Sequence, residues 1–199
     1  MNIAVLASGK GTNFEAIAKA VKRGYLKANL KLLLTDIKSA YVRTRAKRFG
    51  VPDIFINPKE FGSRLEFDKE LARILRQEKI NLVVLAGFMR ILSPYFVEQF
   101  KNKILNIHPA LLPAFRGEKA IERAFYSGVK ITGVTVHFVD EKVDHGPIIL
   151  QEALRINRSK GLKCLERKIH RLEHKLYPLA IKLVIEKKVK MGKSHVEVI

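Results

Sequence analysis

The sequence predicts an open, mainly parallel α/β sheet with helices on both faces and antiparallel strands in its C-terminal half. Two observations carry this expectation. Short apolar runs such as Leu82-Val83-Val84-Leu85-Ala86 alternate with stretches of helical spacing, the pattern of strands covered on both faces by crossover helices. Past residue 130 the pattern changes to strict alternation, with Val134, Val136 and Phe138 on one side and Thr135 and His137 on the other.

Asn2 to Ala7 reads as the first buried strand, and Ser8-Gly9-Lys10-Gly11-Thr12-Asn13 follows as a glycine turn. Phe14 to Arg23 has helical spacing and Gly24 ends it. A strand, a glycine turn and a helix start form an anion site, because free backbone N–H groups and the positive helix end face the same point. Phe14 stands where a dinucleotide fingerprint needs its third glycine, and the Walker spacing is missing, so the turn suits one phosphate rather than a pyrophosphate. A plain tight turn is the alternative. Leu30 to Thr35 is the second strand, Tyr41 to Phe49 a helix closed by Gly50, and Asp53 to Ile56 the third strand. Ser63-Arg64-Leu65-Glu66 is a capping box opening a helix to about Glu78. Arg64 falls in its first turn, where a cation opposes the dipole; it either serves a ligand carboxylate or is plain surface arginine.

Leu82 to Ala86 is the fourth strand, and Gly87-Phe88-Met89-Arg90-Ile91-Leu92 leaves its carboxyl end. An apolar segment with one arginine suits a flat aromatic ligand clasped by backbone groups, although it also fits ordinary loop. Ser93-Pro94 starts the next helix. Ile104 to His108 is a strand stopped by Pro109, with Asn106 and His108 on one face and Leu105 and Ile107 on the other. Ligands of open α/β sheets bind at strand carboxyl ends, so this dyad is the leading candidate for chemistry; a buried structural Asn–His pair is the alternative. After the loop Ala110 to Gly117 come a helix from about Glu118 to Ser127, a strand from Ile131 to Val139, the polar loop Asp140 to Gly146, and a returning strand from Ile148 to Ile156. Leu162 to about Lys188 is helical, with Pro178 expected to kink it or divide it in two. Val189 to Ile199 has strand-pairing potential around Gly192-Lys193-Ser194.

A length of 199 residues is expected to make a single domain with ample core. Its apolar runs are far short of a membrane span, and the chain enters a strand directly with no signal segment expected. The single cysteine, Cys164, excludes an internal disulfide and an all-cysteine metal site, and these features fit a reducing cytoplasm. Thirty-eight Lys and Arg against nineteen Asp and Glu leave a net charge of +19, which attracts anions. The lysines are spread along the chain rather than clustered, which argues against a nucleic-acid surface.

Asn106, His108 and Asp144 make a coherent set if the 140–146 loop folds over the strand end. An amide can donate to a carbonyl oxygen becoming an oxyanion, an imidazole can stabilise it or handle a proton, and a carboxylate orients the imidazole. An activated Ser or Cys nucleophile does not accompany them, so direct transfer fits better than a covalent intermediate. No metal is expected, since the histidines lack close spacing to carboxylates; His137 and His145 are the residual candidates.

Four motifs sharpen this reading. They are Ala-Ser-Gly-Lys-Gly-Thr-Asn at 7–13, Ala-Gly-Phe-Met-Arg-Ile-Leu-Ser-Pro at 86–94, Leu-Asn-Ile-His-Pro-Ala-Leu-Leu-Pro at 105–113, and Gly-Val-Thr-Val-His-Phe-Val-Asp-Glu-Lys-Val-Asp-His-Gly-Pro-Ile-Ile at 133–149. In this order the chain resembles the folate-dependent phosphoribosylglycinamide formyltransferases (glycinamide ribonucleotide transformylases) of purine synthesis. The resemblance implies a Rossmann-like sheet and formyl transfer from 10-formyltetrahydrofolate as cosubstrate to the amine of 5′-phosphoribosylglycinamide. It implies that Asn106, His108 and Asp144 are catalytic, that Gly11, Thr12 and Asn13 hold the substrate phosphate, and that Glu173 contacts the ribonucleotide. Arg64, Met89, Arg90, Ile91, Leu92 and Asn106 would contact folate, together with Asp140, Glu141, Lys142, Val143 and Asp144. Residues from about 1 to 100 would form a phosphate-binding half and those from about 101 to 199 a catalytic and folate-binding half, in a monomer or homodimer with small-molecule substrates and no membrane partner.

Departures stand beside the likeness. Many members have proline at the position of Arg116 and histidines just beyond Gly117, where this chain has Glu118-Lys119-Ala120. Leu-Leu-Pro-Ala-Phe-Arg-Gly is closer there to the methionyl-tRNA formyltransferases, which share the Asn–His–Asp arrangement but carry a second, RNA-contacting domain not expected in 199 residues. That type of transferase and a basic nucleotide- or RNA-binding module are the alternative functions.

Overall fold

The computed structural model describes residues 1–192 and 195–199, and the chain folds as two compact units, Met1–Leu105 and Asn106–Ile199. Among the described residues, seven strands belong to one mainly parallel sheet and two more make a small hairpin.

In the first unit the sheet runs β3-β2-β1-β4, with β1 Asn2–Leu6, β2 Asn29–Thr35, β3 Asp53–Phe55 and β4 Leu82–Leu85. The pairs are parallel, Ile3 sitting beside Leu30 and Leu82. Each crossover is a helix: α1 Thr12–Lys22, α2 Val42–Arg48 and α3 Arg64–Gln77, with α4 Pro94–Gln99 after β4. Ile3 to Ala7 and Val83 to Val84 are fully buried, which is why these strands read as continuous apolar runs. The order reverses between β1 and β4, so the carboxyl ends of those two strands flank a topological switch point. Ser63 caps α3 as expected, its Oγ accepting the Glu66 N–H at 3.2 Å, while Glu66 Oε2 reaches back one residue further than a capping box would, to the Gly62 N–H at 2.8 Å.

The chain passes into the second unit within β5, Ile104–His108, and continues through α5 Ala120–Tyr126, β6 Ile131–Phe138, β7 Ile148–Arg155 and α6 Leu162–Ile185. β6 and β7 are antiparallel, with Thr135 opposite Gln151. β6 is buried from Thr132 to Phe138, so its polar alternates Thr135 and His137 face protein rather than solvent. Helix α6 is one helix of 24 residues with Pro178 inside it, so of the two expected outcomes, a kink or a division, the division does not occur. Proline removes one ladder N–H, but Leu176, Tyr177, Pro178, Ala180 and Ile181 are all buried, and packing on both sides of the gap outweighs that loss. The expected pairing at the C-terminus is an antiparallel hairpin of β8 Val189–Met191 with β9 Val196–Val198. Lys193 and Ser194, named in that expectation, lie outside the described residues.

Candidate active site

Asn106 and His108 share a face of β5, and Asp144 reaches them from the β6–β7 loop within the same unit. His108 Nδ1 is 3.2 Å from Asp144 Oδ2, and Asn106 Nδ2 donates to Asp144 Oδ1 at 3.2 Å. Asp144 has φ of 48°, a left-handed conformation that a carboxylate residue tolerates better than most. Its second oxygen also accepts the Gly117 N–H at 2.8 Å, and its carbonyl accepts from Arg116 Nε at 3.0 Å. The loop returns to β7 through Gly146, where a Cβ would lie 2.0 Å from the Phe138 carbonyl oxygen; only glycine fits.

His137 completes the cluster. Its Nδ1 lies 2.7 Å from the Phe138 carbonyl, which can only accept, so Nδ1 carries the proton and Nε2 offers a lone pair. That lone pair receives Asn106 Nδ2 at 3.2 Å. Both amide protons of Asn106 are thereby directed, one to Asp144 and one to His137. His108 is placed differently: Nε2 is 2.9 Å from the Phe115 carbonyl while Nδ1 faces Asp144, so both ring nitrogens meet acceptors. Burial lowers its pKa below the ordinary 6.5, although Asp144, the Phe115 carbonyl and Glu173 pull upward. A neutral ring has one proton for two acceptors, and a proton gained there finds a partner waiting. For Asp144, burial pushes upward, but the neighbouring His137 ring, the Gly117 N–H and the charge of His108 outweigh it, leaving the carboxyl below its usual 3.8.

In the first unit Gly11 has φ of 72° at the start of α1, and a Cβ there would lie 2.3 Å from Val42 Cγ2. Helix α2 holds this turn in place: the Val42 N–H donates to Gly9 O at 3.1 Å and Arg45 Nε to Lys10 O at 2.8 Å. Glycine carries no capping side chain, so α1 starts at this turn without a side-chain cap. Ser8 links this turn to the segment after β4: its N–H donates to Gly87 O at 3.0 Å, its Oγ accepts the Met89 N–H at 2.9 Å and donates to Asp36 at 2.6 Å. Met89 and Ile91 are exposed while Leu92 is buried, so a fixed backbone presents free apolar side chains.

The family model described as formyl transferase matches residues 1–181. The chain belongs to this family. Phosphoribosylglycinamide formyltransferase of Bacillus subtilis (strain 168) is 43% identical over 182 residues, covering 92% of the chain and 93% of that protein. The trifunctional purine biosynthetic protein adenosine-3 of Homo sapiens is 41% identical over 192 residues, and there the chain covers only 19% of the longer protein. The crystal structure of glycinamide ribonucleotide transformylase 1 from Symbiobacterium toebii superposes with a TM-score of 0.98 at 40% identity, covering 100% of the chain and 94% of that structure.

Within the formyl transferase fold, the structure brings together Asn106, His108 and Asp144. Gly11, Thr12 and Asn13 form the turn and first residues of α1. Arg64 is exposed at the start of α3, and Arg90 stacks its guanidinium over Phe67 at 4.6 Å. Glu173 is buried on α6 and accepts from His170 Nδ1 at 2.9 Å. Glu141, Lys142 and Val143 are exposed in the loop that carries Asp144. His145 pairs with Asp140 at 2.6 Å, so it and His137 serve different contacts. Sequence reasoning missed three groups. His137 was read only for metal, yet its place beside Thr135 on the non-apolar face of β6 was the signal for a polar role. The Phe115 carbonyl and the Gly117 N–H are backbone groups, which no residue pattern identifies.

Proposed function

We propose that this formyl transferase moves the formyl group of 10-formyltetrahydrofolate onto the amine of 5′-phosphoribosylglycinamide, in de novo purine synthesis in the cytoplasm. The observation that carries the reading is one half-buried carboxylate, Asp144, within 3.2 Å of both the Asn106 amide and the His108 ring. The amine nitrogen bonds to the formyl carbon, the bond from that carbon to N10 breaks, one proton leaves the amine and one reaches N10. The formyl oxygen gains negative charge midway, and fixed donors stabilise that charge most. His108 Nε2–H transfers its hydrogen bond from the Phe115 carbonyl to this oxygen, and Asn106 turns one N–H toward it. Asp144 keeps the imidazole charged for that moment and passes protons on through water.

In this reading Gly11, Thr12 and Asn13 hold the phosphate and Glu173 contacts the ribonucleotide. Arg64, the backbone of Met89 to Leu92 and the loop Asp140 to Asp144 contact folate. The first half of the chain then serves the phosphate, and the second half serves catalysis and folate. The net charge of +19 favours encounter with both anionic substrates. A folate-coupled assay with purified ribonucleotide tests it: formylated ribonucleotide and tetrahydrofolate should appear in equal amounts. Strong RNA binding without formyl transfer to the ribonucleotide would refute it.

A further inference from the structure

We propose that Thr135 and Gln151, facing each other across β6 and β7, are positioning residues that hold the root of the 110–117 loop and thereby set His108 and Asp144. The proposal rests on the formyl-transfer reading for its kinetic test and on geometry alone for its structural one.

The backbone just after His108-Pro109 leaves the sheet and is buried at Ala110 and Leu112. Buried carbonyls and N–H groups need partners, and here two side chains supply them. Thr135 Oγ1 donates to Ala110 O at 2.7 Å and accepts the Leu112 N–H at 3.1 Å. Gln151 Nε2 donates to Leu112 O at 2.9 Å and to Thr135 Oγ1 at 2.9 Å. The hydroxyl's one proton and two lone pairs are thus all engaged, as are both amide protons of Gln151. Neither residue touches the reacting groups.

What they hold does. Three residues beyond Leu112, the Phe115 carbonyl meets His108 Nε2 at 2.9 Å, and two further on the Gly117 N–H meets Asp144 Oδ2 at 2.8 Å. Phe115 has φ of 55° and Lys119 of 54°, conformations that bulky residues hold only when their surroundings impose them. The strained loop therefore depends on its root, and that root is the cross-strand pair. A hydroxyl is required at 135, because valine has the shape but no hydrogen bonds, whereas serine has the bonds without the methyl.

The test uses the full chain with Thr135→Val, Thr135→Ser and Gln151→Met. Displacement of a catalytic group by about an ångström costs roughly 100-fold, so Thr135→Val should lower kcat about 10- to 100-fold. KM for the ribonucleotide should stay within about twofold, since uniform binding is untouched. Thr135→Ser should restore most of kcat, and Gln151→Met should lower it less than valine does. The second readout is independent of activity: the His108 Nε2 proton, followed by NMR, should be protected from exchange in the unaltered protein, lose protection in Thr135→Val and keep it in Thr135→Ser. Wild-type kcat and full protection in Thr135→Val would overturn the proposal, as would a serine variant behaving like valine. If Thr135→Val does not fold, Gln151→Met decides by the same two readouts. If the unaltered protein transfers no formyl group, the functional reading fails and the ring proton alone judges the pair.

Discussion

Replacing Gly11 by alanine should destabilise the first unit by an amount the structure allows to be worked out. The new Cβ would meet Val42 Cγ2 at 2.3 Å, Cβ at 2.6 Å and Cα at 2.9 Å, with φ held at +72°. A left-handed conformation costs an L-residue about 1–2 kcal/mol, and forcing a methyl into filled space about 1–3 more, so the loss is about 2–5 kcal/mol. With a urea slope of about 1–3 kcal/mol per molar, the unfolding midpoint should fall by about 1 M or more at an unchanged slope. Val42→Ala removes the atom at 2.3 Å but leaves the other two, so the double variant should be less destabilised than the sum of the singles, with part of the cost remaining. A Gly11→Ala midpoint equal to that of the unaltered protein, or strict additivity with Val42→Ala, would refute the reasoning. The same overlap would move the first turn of α1, so affinity for inorganic phosphate should drop with stability.

Three further outcomes are expected. Removing the Ser63 hydroxyl as Ser63→Ala should cost about 1 kcal/mol in urea unfolding, the usual worth of an N-cap that accepts one N–H. Ser8→Ala should raise KM for folate with little change in KM for the ribonucleotide, because Ser8 Oγ holds the Met89 N–H and Asp36, and steady-state kinetics in each substrate would show it. Stability should fall on the acid side in two windows. The unfolded chain protonates its histidine at about 6.5 while folded His108, its pKa lowered, does not, so His108's contribution is complete above 6.5 and lost as pH falls through its folded value. Asp144, also lowered, contributes above about 3.8 and loses this below. Urea midpoints against pH should therefore lose the first slope in His108→Ala and the second in Asp144→Asn.

Much of the fold was legible because parallel strands buried on both faces must be apolar throughout, as at Ile3 to Ala7 and Val83 to Val84. Caps were legible for a similar reason: Ser63 with Glu66 and Ser93 before Pro94 each satisfy a local requirement that sequence alone imposes. At Pro178 local propensity allows a kink or a division, and burial of the surrounding α6 residues, a tertiary fact, goes with an undivided helix. At the site, Asn106 and His108 were readable from strand alternation, and Asp144 from a polar loop at the right place. The roles of His137, Thr135 and Gln151 depend on which strand lies opposite which, and those of the Phe115 carbonyl and Gly117 N–H on backbone geometry. Neither is written in residue types.

The central claim is that His108, held between Asp144 and the Phe115 carbonyl, carries the transfer step rather than substrate binding. Single-turnover formyl transfer by His108→Ala, with ribonucleotide affinity titrated on the same sample, tests it most directly. The account predicts a rate lower by roughly 100-fold or more, the usual worth of a positioned acid–base group, with ribonucleotide affinity unchanged. Transfer at the unaltered rate, or a loss explained wholly by weaker ribonucleotide binding, would contradict it.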